Sequence, residues 1–317
     1  MRLWTLSLLL GLTSCGSFQR WSIRSASPMF KESSHKLTRE GHWEFFKASA
    51  PGNLKFLELF AQHDPSNIVL QGVLAKGYAG YAFAVHETLA FGDELDEKEN
   101  SESKKDAIFF YTRAMDYGLD YLTHKGLTRK DLLSLEDQEL KNKFNSKLDK
   151  DDHSAVLYTA QAWASLINLQ KDNIALVSQI PKVKNLFDWV CGENPSIDSG
   201  VCDIFKAQYE ATRPRMLGGS PEKAEILYKE AIIKYPHHLL IRVALIQTVY
   251  MPAFEKEKYE AEAKVLKEEF IKWENLNRDN LENTSEYKND QDLNLFNAIA
   301  KKRFEMIEKN KTKIFGE

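Results

Sequence analysis

The sequence predicts an all-α protein, and three observations carry that prediction. Apolar residues recur at helical spacing along most of the 317 residues. Glycine (15) and proline (9) are few and fall mainly at breaks, and no sustained alternation of Val, Ile or Thr marks a strand. The composition, 43% hydrophobic and 28% charged, is that of a globular chain long enough for one large helical domain or two small ones. A net charge of −3 argues against a nucleic-acid partner, because phosphate binding needs a concentrated basic face. Over 256–272 the basic residues are instead interleaved with acidic ones at helical spacing, the pattern of a solvated helix surface.

The first residues address the compartment. Met1-Arg2 is followed by Leu3, Trp4, Leu6, Leu8, Leu9, Leu10 and Leu12, an apolar run of ~10 residues where a spanning helix takes roughly 20. That length fits a secretory signal. The run ends in Leu12-Thr13-Ser14-Cys15, which resembles the bacterial lipoprotein cleavage box, so residues 1–14 are expected to be the signal peptide and Cys15 the lipidated residue. Acyl chains contribute about 0.8 kcal/mol per buried methylene, enough for several on one residue to hold a folded domain to a membrane. Gly16 follows the cysteine, which by analogy with enteric sorting permits outer-membrane delivery. The alternative is a plain signal peptide cut a few residues away, with Cys15 unmodified. Residues 15–28, rich in Ser and ending at Pro28, read as a tether, and 29–317 as one folded domain.

Leu54, Leu57 and Phe60 predict a helix from Asn53 that stops at Asp64-Pro65, with Ser66 or Asn67 capping the next. Residues 67–91 form a broad apolar stripe interrupted by Gly77 and Gly80, each costing about 1 kcal/mol in a helix, which predicts close approach of a neighbouring backbone. The acidic stretch 92–103 reads as a solvated loop, and 127–150 as a weaker helical excursion. Further helices are predicted over 104–124, from Asp151 onward, and over 174–179, 181–191, 201–211, 221–235, 238–250, 256–273 and 291–309. Residues 275–289 are polar and read as a loop. Cys191 and Cys202 flank the break between Gly192 and Gly200. In an oxidising compartment they form a disulfide, or they remain two buried thiols; the spacing does not choose.

One pattern occurs twice. Ala107, Tyr111 and Ala114 share their spacing with Ala224, Tyr228 and Ala231, and the second copy closes on Pro236. Small residues at i and i+7 let a facing helix approach, and the aromatic between them fills the groove. The spacing resembles the second helix of a tetratricopeptide repeat, and predicts helical hairpins stacked into an α-solenoid or bundle.

The order of motifs is similar to that of the T-component family associated with tripartite ATP-independent periplasmic (TRAP) transporters. The stretches are NLKFLELFAQHDP (53–65), GYAGYA (77–82), RAMDYGLDYL (113–122), AQAWASLI (160–167), GGSPEKAEILYKEA (218–231) and LNLFNAIAKKRF (293–304). Residues 92–103 and 127–150 depart from the pattern. The resemblance implies a periplasmic tetratricopeptide lipoprotein that assembles as a homotrimer. Each subunit would carry a channel for a hydrophobic small molecule and pair with the transporter's solute-binding protein. The membrane is then met through the lipid anchor only.

Catalytic motifs are missing: there is no Gly-rich phosphate loop, HExxH or CxxC, and neither cofactor nor metal is implied. Adjacent His237 and His238 point different ways along a helix and make a poor metal pair. The best ligand-lining candidates are Tyr78 and Tyr81, three apart beside glycine, and Trp163, each with an apolar body and a polar tip. Packing in the core between repeats is their other reading. Two functions compete: a lipid-anchored ligand-binding subunit of a TRAP-type transporter, and an envelope-assembly scaffold holding a protein partner.

Overall fold

A computed structural model describes residues 14–278 and 290–316. The signal segment up to Thr13 and residues 279–289 of the expected polar loop lie outside the described residues. Among the described residues all regular secondary structure is helical.

Helix α1 (Ser14–His35) replaces the expected tether. Serine-rich sequence reads as linker, but here Ser22, Ser25 and Ser27 each bond the carbonyl four residues back, at 2.8–3.0 Å, so their hydroxyls do not compete with the helix. Ile23 and Ser27 are buried, Asn67 Nδ2 donates to Ser27 Oγ at 2.8 Å, and Arg24 donates twice to Asp64 at 2.7 and 2.9 Å. Tertiary contact thus holds the segment against α2 and α3. Helix α2 (Trp43–His63) begins ten residues before the predicted Asn53, capped by His42, and it accommodates Pro51 internally. Its buried residues Trp43, Phe46, Ala50, Leu54, Glu58 and Ala61 keep one face.

Helix α3 (Ile68–Leu95), capped by Asn67, is continuous through a π-helical turn at Ala82–Glu87. It is long and apolar enough to cross a membrane, yet 67% of its apolar window is buried against other helices, which accounts for the composition. It runs through the first four residues of the expected acidic loop because Phe91 is buried and Gly92 lies beneath Met306. Ser101 then caps α4 (Glu102–His124). The charged excursion forms α5 (Arg129–Ser134) and α6 (Asp137–Lys147), pinned by fully buried Leu132, Leu140 and Phe144.

Helices α7 (His153–Leu169), α8 (Ile174–Val177) and α9 (Ile180–Glu193) lead to a disulfide between Cys191 and Cys202, Cα atoms 5.7 Å apart, which ties α9 to α10 (Val201–Thr212). Gly219 packs so closely that a Cβ there would lie 1.8 Å from the Arg213 carbonyl oxygen; the turn therefore admits only glycine before Ser220 caps α11 (Pro221–Lys234). Helix α12 (Leu239–Tyr250) ends in a second π-helical turn, Ile246–Tyr250. Helices α13 (Lys256–Arg278), α14 (Asn294–Lys309) and α15 (Lys311–Phe315) complete the chain.

The most extensive packing is α3 on α4, α4 on α7 and α10 on α11. Both alanine–tyrosine rows are buried: Ala107, Tyr111 and Ala114 in α4, and Ala224, Tyr228 and Ala231 in α11. Pro236 lies exposed in the turn that follows. Helix α14 returns from the far end of the chain to pack on α12, α3 and α2, so the helices close around an interior space.

Candidate ligand-binding site

That space is a cavity of about 1350 Å³. Pockets that bury a drug-sized ligand run to ~300–1000 Å³, so this one has room for a larger molecule. On α3 the lining residues include Lys76 and the row Gly77, Gly80, Phe83, Glu87 and Phe91, a stripe stepping by three and four. Leu157, Tyr158, Gln161 and Ser165 face it from α7. Phe187, Ile204 and Phe205 come from α9 and α10, Gln247 and Thr248 from α12, and Phe296, Ile299 and Arg303 from α14.

The two π-helical turns meet at Arg303. A widened turn displaces carbonyls from the regular ladder. The freed Phe83 carbonyl accepts from Thr88 Oγ1 at 3.1 Å and from Arg303 Nη2 at 3.4 Å. Arg303 also donates from Nε to Thr88 Oγ1 (2.9 Å), from Nη2 to Glu87 Oε1 (3.2 Å) and from Nη1 to Gln247 Oε1 (3.4 Å) in the second turn. Its guanidinium lies 4.6 Å from the centre of the Phe83 ring. Glu87 Oε2 accepts from the Tyr111 hydroxyl. Burial and the Glu87 charge push that phenol well above its usual pKa, so it remains a donor. This polar cluster is therefore neutralised within itself.

Lys76 is different. It is 6% exposed, and its ammonium has His35 Nδ1 at 3.4 Å and the Tyr158 ring centre at 5.1 Å. Burial lowers its pKa, against the more distant charges of Asp198 and Asp292. Tyr158 in turn donates to Asp198 at 2.8 Å; Asp198 and Ser199 hold left-handed backbone (φ 43° and 49°) in the loop spanned by the disulfide.

The three aromatics expected at the ligand lie off the cavity wall. Tyr78 stacks on Tyr117 at 5.9 Å and faces α4, where Glu58 accepts from Tyr117, Lys55 and Arg113. Tyr81 packs edge-on to Phe110 at 5.0 Å, and Trp163 is buried with Nε1 donating to Gln179 at 2.9 Å. The reason is helical phase: Tyr78 and Tyr81 occupy the face of α3 opposite the lining stripe, and Trp163 the corresponding face of α7. Their glycine neighbours, not the tyrosines, form the wall. At Gly77 a Cβ would lie 2.6 Å from Leu54 Cδ2, so a side chain approaches there rather than the backbone expected, whereas at Gly80 it would meet nothing within 4 Å. Lys76, Glu87, Gln247 and Arg303 were not singled out by motif. Two carried a signal: Lys76 is the lone charge in the apolar run 68–85, and Arg303 falls on the buried stripe of an amphipathic helix.

Residues 40–315 match a model of the TRAP transporter T-component family. The chain belongs to that family. No curated protein matches its sequence. T-components are transporter-associated components and not an enzyme family. The match begins at Glu40, just before α2, so α1 precedes the matched region of this T-component and is still packed on its core.

Proposed function

We propose that this T-component is a lipid-anchored subunit outside the cytoplasm that holds an apolar small molecule beside the solute-binding protein of a TRAP transporter, without covalent chemistry. The observation that carries the reading is the cavity of about 1350 Å³ lined largely by apolar helix faces. Protein interiors pack to crystal-like density, and a large, mostly apolar cleft of this kind is the usual form of a ligand site. Family membership supports the transporter, and the short apolar run ending at Cys15 supports the anchor. The buried alanine–tyrosine rows of α4 and α11 support tetratricopeptide-like packing of helix pairs. The solute-binding partner and the homotrimer rest on the resemblance.

Native mass spectrometry of Cys15→Ser protein tests the reading. A trimer carrying a co-purified apolar molecule is expected, and Gly80→Trp, which fills open space, should emerge folded and empty. An empty wild-type monomer that captures an envelope protein would instead favour an envelope-assembly scaffold. The anchor is tested separately by the mass of the mature amino terminus: an acylated Cys15 is expected, and an unmodified Cys15 sinks that part alone.

A further inference from the structure

The buried charged residues of this protein follow one rule with one exception. Glu58 is paired with Arg113 and Lys55, Asp64 with Arg24, Asp152 with Lys125, and Arg303 with Glu87. Lys76 is as deeply buried as these, yet among the described residues no carboxylate lies within ion-pair reach of it. Its polar neighbour is the imidazole of His35, whose own protonation is disfavoured by burial and then by Lys76. Removing an ammonium from water without a counter-charge is costly, and lysine avoids that cost almost everywhere by reaching solvent. Here the side chain is held inside, on the cavity wall, with the π-face of Tyr158 beside it.

Resting on the cavity as the ligand site, we propose that Lys76 is the counter-charge for an acidic head group, and that the ligand is a single apolar chain ending in a carboxylate or phosphate. Geometry separates the two ends. Lys76 sits where α3 faces Tyr158, with Ser34 and Thr38 of the N-terminal segment also on the wall. One turn along α3, Gly80 leaves the lumen open, and Phe83, Phe91 and Ile299 continue an apolar surface suited to a chain. Arg303 does not compete, because Glu87, Thr88, Gln247 and the Phe83 carbonyl already satisfy it; of the other cations on the wall, Arg213, Arg215, Lys258 and Lys313 are each paired with a glutamate, and Lys171 is exposed to water. An anion entering beside Lys76 gains a charge-assisted hydrogen bond in a dry setting, while a neutral head of the same length leaves the ammonium unpaired.

Isothermal titration of the mature Cys15→Ser protein with dodecanoate, dodecyl phosphate and dodecanol tests this. The expected result is that at least one anion binds roughly ten- to a hundredfold tighter than the alcohol, the range of a hydrogen bond to a charged group. The tighter of the two names the head. Lys76→Met should reduce the preference to about threefold or less while alcohol binding persists, and Lys76→Arg should retain it. The wild-type comparison needs no variant, so a folding defect in either substitution leaves the test intact. Anions binding no better than dodecanol, or a preference unchanged in Lys76→Met, overturns the anchor but spares the cavity. If none of the three binds, the ligand-binding reading itself falls.

Discussion

Glu87 and Arg303, 216 residues apart in sequence, meet at 3.2 Å on the cavity wall, and Tyr111 donates to the other oxygen of the same carboxylate. This contact joins the first π-helical turn to the last long helix, and through Gln247 to the second π-helical turn. It fixes the relative position of three helices that enclose the lumen.

Removing one member should therefore cost more than removing both. Glu87→Gln leaves a guanidinium buried without its counter-charge, and a loss of about 3 kcal/mol is expected in urea unfolding. The pair Glu87→Gln with Arg303→Met should recover most of that loss. Strictly additive losses would show that the two residues act independently.

Glycines on neighbouring helices should respond in opposite directions to the same substitution. At Gly80 an added methyl meets nothing within 4 Å, so Gly80→Ala should stabilise by about 1 kcal/mol through helix propensity. At Gly118 a Cβ would lie 2.0 Å from Thr159 Oγ1, where α4 and α7 pack closely. Gly118→Ala should cost about 1–3 kcal/mol. Equal melting temperatures for the two variants would contradict the packing described.

Acid should loosen the contact between α2 and α4. Burial raises the pKa of Glu58, but hydrogen bonds from Arg113, Lys55, Tyr117 and Tyr78 outweigh it and hold the carboxyl at about 2. A folded pKa below the unfolded value means that its contribution is complete above about pH 4.5 and is lost as the pH falls toward 2. Because water reaches Arg113 and Lys55, about 2 kcal/mol is expected rather than the full linkage value. Stability measured across this window should fall more steeply in wild type than in Glu58→Gln, and parallel curves would argue against the assignment.

Reduction should act locally as well as globally. The bridge between Cys191 and Cys202 closes a short loop that contains Asp198, partner of Tyr158. Cys191→Ser should lower stability by about 2–3 kcal/mol, from the loop length. It should also relax the left-handed backbone at Asp198 and Ser199, read as faster amide exchange there than elsewhere. Unchanged exchange with lowered stability would confine the bridge to a simple cross-link.

How much was legible varies along the chain. Residues 104–124 and 221–235 were readable nearly to the residue, because Ser101 and Ser220 cap strongly amphipathic runs. The N-terminal segment was not: Ser and Pro argue for a linker until Asn67 and Asp64 supply partners from other helices. The candidate site shows the same division. Tyr78 and Tyr81 stand out by residue type, but which face of α3 meets the lumen depends on where α4, α7 and α14 lie. Those positions put the tyrosines against α4 and the glycines on the wall.

The sequence by itself determined the helical class, the buried alanine–tyrosine rows and the family, because periodicity and short-range spacing are local properties that any window of the chain displays. Only the tertiary structure decided that α14 returns to close a cavity, that Arg303 finds Glu87, and that Lys76 is buried with no carboxylate within ion-pair reach among the described residues. Those facts depend on contacts between distant segments, and whether a charge is paired is a property of the assembled interior rather than of its neighbours in sequence.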